Sequence, residues 1–339
     1  MAYTTIDDPS AHFQAYAFTK SSGSGSATFD GNSNLQPDFL WVKSRTNADS
    51  HELWDSTRGV NSTVFSNNNE AEDTSSGRIS SFDTDGFTWG TAGNLNAVGD
   101  FSSFAWKANG GTTVTNTDGS ENSTVQANTD AGFSIVEIAG TGANATYGHG
   151  LGVKPQVYLV KRTNAAGSWV WATSAYDGTH DYFYLNTASA IQGLGYDQPT
   201  TSVFQYNDTS GNTNIVYCFA EKQGYSKFGK YTGNGNADGT FVYTGFKPAF
   251  MMIKEATQAR NWYILNASDN QANAVDKYVL ADLSNAGGTS TNDTVDFLSN
   301  GFKLRGTGAT TNTNGETYAF MAFAENPFVT STGIPTTAR

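Results

Sequence analysis

Residues 35–45 read LQPDFLWVKSR, and this stretch decides how the chain is organised. Two further segments share its pattern, VKPQVYLVKRT at 153–163 and FKPAFMMIKEA at 246–256. Each has a proline, five mostly apolar residues and a lysine: Pro37 and Lys43, Pro155 and Lys161, Pro248 and Lys254. Proline is tolerated at the first residue of a strand, and β-branched and aromatic residues suit a strand with both faces covered. The pattern predicts a buried strand occurring three times, with the lysine marking where each strand leaves the core. Three such strands imply three copies of one fold.

The rest of the chain aligns on these strands. Closing segments recur at Phe104-Ala105-Trp106, Tyr217-Cys218-Phe219 and Met321-Ala322-Phe323. Middle aromatics are matched as Trp54, Trp171 and Trp262. The lysine-to-closing-aromatic distances differ (43 to 106, 161 to 219, 254 to 323), as loop insertions on a fixed strand framework would produce. The fold expected is all-β: three tandem β-sandwich repeats of jelly-roll or lectin-like type. The boundaries expected are an N-terminal arm at 1–12, repeats at 13–106, 132–227 and 228–328, a linker or arm at 107–131, and a tail at 329–339. No convincing amphipathic helix is present.

Composition agrees with that class. The 339 residues include 36 Gly and only 7 Pro, and 13% are aromatic, which separates the chain from disordered sequences. Charged residues are 15% and the net charge is −12, which argues against a phosphate-binding surface, so no nucleic-acid partner is expected. The single cysteine, Cys218, excludes an intrachain disulfide and a zinc site of the cysteine type. No run approaches the roughly 20 apolar residues that span a bilayer. The opening MAYTTIDDPSAHF lacks the basic and apolar regions of a secretory leader. Synthesis in a cytoplasm, with release by a route such as lysis, is expected.

Candidate sites are few. His12, His51, His149 and His180 fall at places that do not correspond between repeats, and each is expected as a turn or surface residue rather than a ligand or base. The Asp83–Gly86 and Asp177–Asp181 segments have calcium-like oxygens but read better as turns. The Gly140–Gly142 and Gly233–Gly235 turns lack the helix and Lys-Ser/Thr of a nucleotide loop. No G-x-S-x-G elbow and no recurring carboxylate pair occurs. No catalytic residue, cofactor or metal is therefore assigned, and the chain is not expected to be an enzyme. Trp169 alternates with Trp171, so one of the two is expected to face outward; Trp169 is the best single candidate for a surface contact. Asn207 and Asn212, in an Asn-rich loop, are the candidates for hydrogen bonding to a glycan.

The segments GTGANATYGHGLGVKPQVYLVKR (140–162), YCFAEKQGYSKFGKYTGNGNADGTFVYTGFKPAFMMIK (217–254), NWYILNAS (261–268), VDFLSNGFKLR (295–305) and YAFMAFAENPF (318–328) resemble a family of virion structural, tail-fibre-like proteins of marine bacteriophages, cyanophages among them. The resemblance covers nearly the whole chain. It implies a part of the phage particle: an exterior tail or capsid appendage, assembling with other virion proteins in many copies or as a homo-oligomer, and attaching to a host-surface glycan. Its alternatives are a capsid decoration, knob or head fibre without a receptor role, in which three similar domains are placed around one axis, and a polysaccharide-degrading tail enzyme. The resemblance carries over no catalytic residue and no membrane insertion.

Overall fold

The computed structural model describes residues 4–270 and 272–326. The chain is all-β, with 26 strands and two short 3₁₀ turns among the described residues. The tail expected at 329–339 lies outside the described residues.

One strand order is laid down three times. In the first unit the large sheet runs β1 (Phe13–Lys20), β7 (Gly99–Trp106), β3 (Phe39–Ser44), β4 (Glu52–Asp55). In the second it runs β10 (Phe133–Ala139), β17 (Thr213–Phe219), β12 (Val157–Arg162), β13 (Val170–Thr173), continuing into β14 (Asp181–Tyr184) and β15 (Gln192–Gly193). In the third it runs β18 (Ser226–Thr232), β26 (Thr317–Phe323), β20 (Phe250–Glu255), β21 (Tyr263–Asn266), then β22 (Lys277–Leu280) and β23 (Gly288–Thr289). The three proline-to-lysine segments are β3, β12 and β20, each hydrogen-bonded to the closing strand of its unit.

A small sheet covers the outer face of each large one. These are β2 (Gly25–Ala27), β6 (Gly86–Trp89) and β5 (Ile79–Asp83); β11 (Ala145–Gly148) and β16 (Val203–Tyr206); β19 (Phe241–Tyr243), β25 (Gly301–Leu304) and β24 (Val295–Leu298). Alternate side chains of a strand point to opposite faces. Leu40 and Val42 therefore join Phe87 and Ile79 in a core private to the first unit. The other two units have private cores of the same kind. Gly86 holds the β5–β6 hairpin at φ +99°, and a Cβ there would lie 1.9 Å from the Ala27 carbonyl oxygen, so no other residue fits.

The opposite faces meet in a fourth core shared by all three units, and here the picture of separate tandem domains needs revision. Phe39, Trp41 and Trp106, Val157, Leu159 and Phe219, and Phe250, Met252 and Phe323 belong to one buried cluster. Phe39, Val157 and Phe250 each face the last residue of the closing strand, so Trp106, Phe219 and Phe323 are equivalent. These three rings meet one another, with centroids 6.1, 5.5 and 5.7 Å apart. Three equivalent residues in mutual contact define a quasi-threefold centre. Each large sheet is thus covered on both faces, which is why its central strands read as continuous apolar runs.

Residues 107–131 are more than a linker. They form β8 (Val114–Asn116) and β9 (Ser123–Asn128), added to the edge of the second large sheet beside β10. The arm is docked over residues 4–12, and Ile6 is buried in the shared core.

Candidate functional site

Each seam between units holds buried polar chemistry. Leu53, Trp171 and Ile264 face Trp41, Leu159 and Met252 and are equivalent. Two residues earlier stand His51, Trp169 and Trp262. Trp169 Nε1 donates to the Phe65 carbonyl of the first unit at 2.7 Å. Trp262 Nε1 donates to the Tyr184 carbonyl of the second unit at 3.0 Å. The His51 ring meets the Leu280 carbonyl of the third unit at 2.8 Å. The ring is thereby closed: first to second, second to third, third to first. Trp41 Nε1 donates to His51 Nδ1 at 2.8 Å, so the proton of His51 sits on Nε2, directed at Leu280. Burial pushes the His51 pKa down to about 3, consistent with a neutral ring.

Main-chain bonds repeat the same cycle. Glu72 N–H donates to Thr163 O, Ile191 N–H to Ala256 O, and Gly287 N–H to Arg45 O, each at 2.8 Å. The acceptors lie two residues beyond Lys43, Lys161 and Lys254, so they too are equivalent. Head-to-tail contacts build a ring when their rotation closes, and here closure occurs within one chain. Side-chain ion pairs and hydroxyl bonds add to the seams. Arg58 pairs with Asp55 and Glu72 at 2.6 Å each, and Tyr217 of the second unit donates to Asp55 at 2.8 Å. Arg45 pairs with Asp269 of the third unit at 2.7 Å.

The three lysines are fully buried rather than emerging from the core. Phe39, Trp41 and Lys43 alternate on one strand and share the inner face, so the lysine is the last inward side chain of its strand. Lys43 Nζ donates to Ser44 O and Asn47 O at 2.6 and 3.2 Å, Lys161 to Gly167 O at 2.8 Å, and Lys254 to Glu255 O and Ala188 O at 2.8 and 3.2 Å. None forms an ion pair among the described residues. Burial lowers each of the three pKa values to about 8.

Among the described residues the outer surface carries one strongly exposed aromatic pair. Phe241 and Tyr243 on β19, the edge strand of the third small sheet, are 43% and 57% exposed, while Val242 between them packs inward. Lys303 stands opposite Phe241 and pairs with Asp238 at 2.6 Å. An exposed aromatic pair beside polar groups on a sheet edge is suited to stacking on a ring or covering an apolar patch.

The sequence of residues 8–327 matches the family described as Domain of unknown function (DUF7483). The chain belongs to the DUF7483 family. No curated protein and no solved structure matches it.

In this DUF7483 chain the sequence-derived candidates are placed as follows. Trp169 cannot be a surface contact, because it is fully buried in the shared core and stacks on Tyr217 at 6.3 Å. Residues two apart lie on the same face of a strand, so Trp169 and Trp171 point the same way, and both point inward. The matched aromatics are likewise His51, Trp169 and Trp262, not Trp54, Trp171 and Trp262. Asn207 and Asn212 are half-buried, about the same loop. Asn207 donates to Asn144 at 3.1 Å and Asn212 to Asp208 at 2.9 Å, bonds that shape the loop. Three of the four histidines are buried: His51, His149 and His180. His149 Nδ1 accepts from Leu151 N–H at 3.2 Å, and His180 meets the Tyr158 hydroxyl at 3.2 Å. Asp83 accepts from Ser81 and Thr88, an ordinary turn use of a carboxylate. Among the described residues no group of three His, Cys, Asp or Glu is placed to hold a metal ion.

The latch gives a direct test. Trp169→Phe keeps the ring but orphans the Phe65 carbonyl, and should cost about 1–3 kcal/mol of stability. Trp171 Nε1 is buried without a partner among the described residues, so Trp171→Phe should cost less. Urea denaturation of the two variants compares them; equal losses would show that packing, not the latch, sets the cost.

Proposed function

We propose that this chain is a bacteriophage virion structural protein, an exterior appendage of the tail or capsid carried in many copies, which holds other virion proteins and contacts the host surface. The observation that carries this reading is the closed ring. Three units share one core, and their seams are filled by main-chain and aromatic latches. Such a block has its polar chemistry committed to holding itself together, which suits a part that must persist outside a cell. The likeness to phage virion proteins in the proline-to-lysine segments and closing strands supports the same reading.

Two features support the two placements. The Phe241–Tyr243 pair supports host attachment, where many weak contacts gain avidity from copy number. The quasi-threefold centre supports a knob or capsid decoration, in which three equivalent faces meet a partner around one axis. Imaging of purified particles labelled with an antibody to this chain tests the proposal. Label on the tail or the head is the expected result, and its location chooses between the placements. Absence from intact particles overturns the reading, as does release of reducing ends from host polysaccharide by the purified chain.

A further inference from the structure

The second unit departs from the repeated plan on its outer face. The small sheets of the first and third units have three strands, whereas that of the second has only β11 and β16. β5 brings Ile79, and β24 brings Val295 and Phe297, into the private cores of their units. Residues 194–202 precede β16 as β5 precedes β6 and β24 precedes β25, but they form no strand. The outward side chains of β13 and β14 are therefore covered only in part. Val170, Tyr182 and Tyr184 are half-buried, while Phe183 between the tyrosines is fully buried in the shared core.

One side chain decides what happens beneath. Val170 faces Val160, as Tyr263 faces Ile253 and Glu52 faces Val42, so the three are equivalent. In the third unit Tyr263 is buried and its ring stacks on Tyr278 at 4.4 Å. Tyr278 is the counterpart of Tyr182 by its ladder partner. In the first unit Glu52 is buried and paired with Arg78. Valine is too short to fill the same place. A cavity of about 360 Å³ opens there, lined by Val170, by Tyr182, Tyr184, Tyr196 and Tyr206, and by the segment 193–195. Small-molecule clefts run from about 300 to about 1,000 Å³.

The lining is aromatic, hydroxylated and neutral. Tyr182 and Tyr184 meet edge to face at 5.2 Å, and Tyr196 and Tyr206 at 6.0 Å. Tyr182 Oη donates to Gln192 Oε1 at 2.7 Å, which leaves its lone pairs to accept from a ligand. Burial raises the pKa of Tyr182 to about 12 and raises those of Tyr196 and Tyr206, so these hydroxyls are uncharged. Among the described residues no charged side chain lines the cavity. A Cβ added at Gly193 or Gly195 would meet nothing within 4 Å, so packing does not require these glycines; they leave main chain bare to a ligand. We propose that this cleft binds a neutral hexopyranose, its ring lying on Tyr182 where the third unit lays Tyr263 on Tyr278. A sugar ring has apolar C–H faces for the tyrosine rings and hydroxyls for the polar rim. A charged ligand would be held here without a counter-charge. The proposal deepens the host-attachment reading and rests on it only for the source of the sugar, the end of a surface glycan.

Titration calorimetry of the full chain with the methyl glycosides of glucose, galactose and mannose tests this. Free hexoses, glucuronate and a proline-rich peptide are the contrasts. At least one methyl glycoside should bind with a millimolar Kd, since so small a ligand buries few atoms. Val170→Tyr, which copies the third unit, should weaken that binding about tenfold with the thermal midpoint unchanged. Tyr182→Ala should weaken it about as much, and carries the test if the first variant does not fold. Phe241→Ser, on the third unit, should leave it unaltered. Glucuronate should bind more weakly than methyl glucoside. The methyl glycosides stand for the end of a glycan and the free hexoses for a soluble sugar, so binding of the free hexoses alone overturns the proposal. So do no glycoside binding, an affinity unchanged by Tyr182→Ala, equal binding of glucuronate, or binding of the peptide in place of the glycosides. Glycoside binding by a chain absent from virions overturns only the virion reading. A virion chain that binds no glycoside overturns only the proposal for the cleft.

Discussion

Trp106→Ala should destabilise all three units at once, by about 3–5 kcal/mol, the usual cost of truncating a large buried aromatic. Trp106 touches both Phe219 and Phe323, and it also stacks edge-on against Phe250 at 5.7 Å. The cavity would open where the three sheets converge, and no single unit could collapse to fill it. Calorimetry of the unaltered chain should show one endotherm, because the latches and the shared core make each unit's inner face useless alone. The variant should move that endotherm down as a whole. Trp106→Phe is the informative control. Its Nε1 is buried without a partner among the described residues, so the phenylalanine removes an orphaned donor as well as some volume, and the net change should stay within about 1.5 kcal/mol. Three separable transitions, or a loss confined to residues 13–106 in hydrogen exchange, would show that the units are independent domains.

Stability should rise with pH between about 8 and 9.5. Lys43, Lys161 and Lys254 each have a folded-state pKa near 8, below the unfolded value of 10.5. Above pH 8 the unfolded chain therefore holds more protons than the folded one, and the derivative of unfolding free energy with pH is positive. Below pH 8 both states carry the charge and the slope vanishes. One proton per lysine is worth up to about 1.4 kcal/mol per pH unit, so three lysines can give up to about 4. Replacing all three by methionine should flatten the slope in this window, read as the urea midpoint against pH. His51 titrates elsewhere: its lowered pKa makes stability fall as pH drops from 6.5 toward 3, so the two effects separate on the pH axis. A slope unchanged in the triple variant would mean that water or local movement already solvates the ammonium groups.

Much of the framework was legible in the chain. The proline, the apolar run and the lysine identified β3, β12 and β20, because a strand covered on both faces must be apolar at every position. The closing strands were found the same way. The reading of the lysines failed on one point of geometry. Lys43 follows Phe39 and Trp41 on the same face, so a strand that buries those two buries the lysine unless it ends first. Trp169 failed for a similar reason, since its spacing from Trp171 placed both on one side. The latch partners could not be read. Phe65, Tyr184 and Leu280 act through carbonyl oxygens, which every residue carries, and His51 stands where the other units have tryptophan.

By itself the sequence determined the recurring proline-to-lysine and closing strands and the all-β class, because these follow from local alternation, turn residues and a pattern that recurs. Only the tertiary structure decided that the units close into a ring around Trp106, Phe219 and Phe323, and that residues 107–131 add two strands to the second large sheet. The ring contacts join residues a hundred or more positions apart. An aromatic side chain with an apolar surface to bury is compatible with a private core or a shared one, and only the assembled sheets show which face it meets.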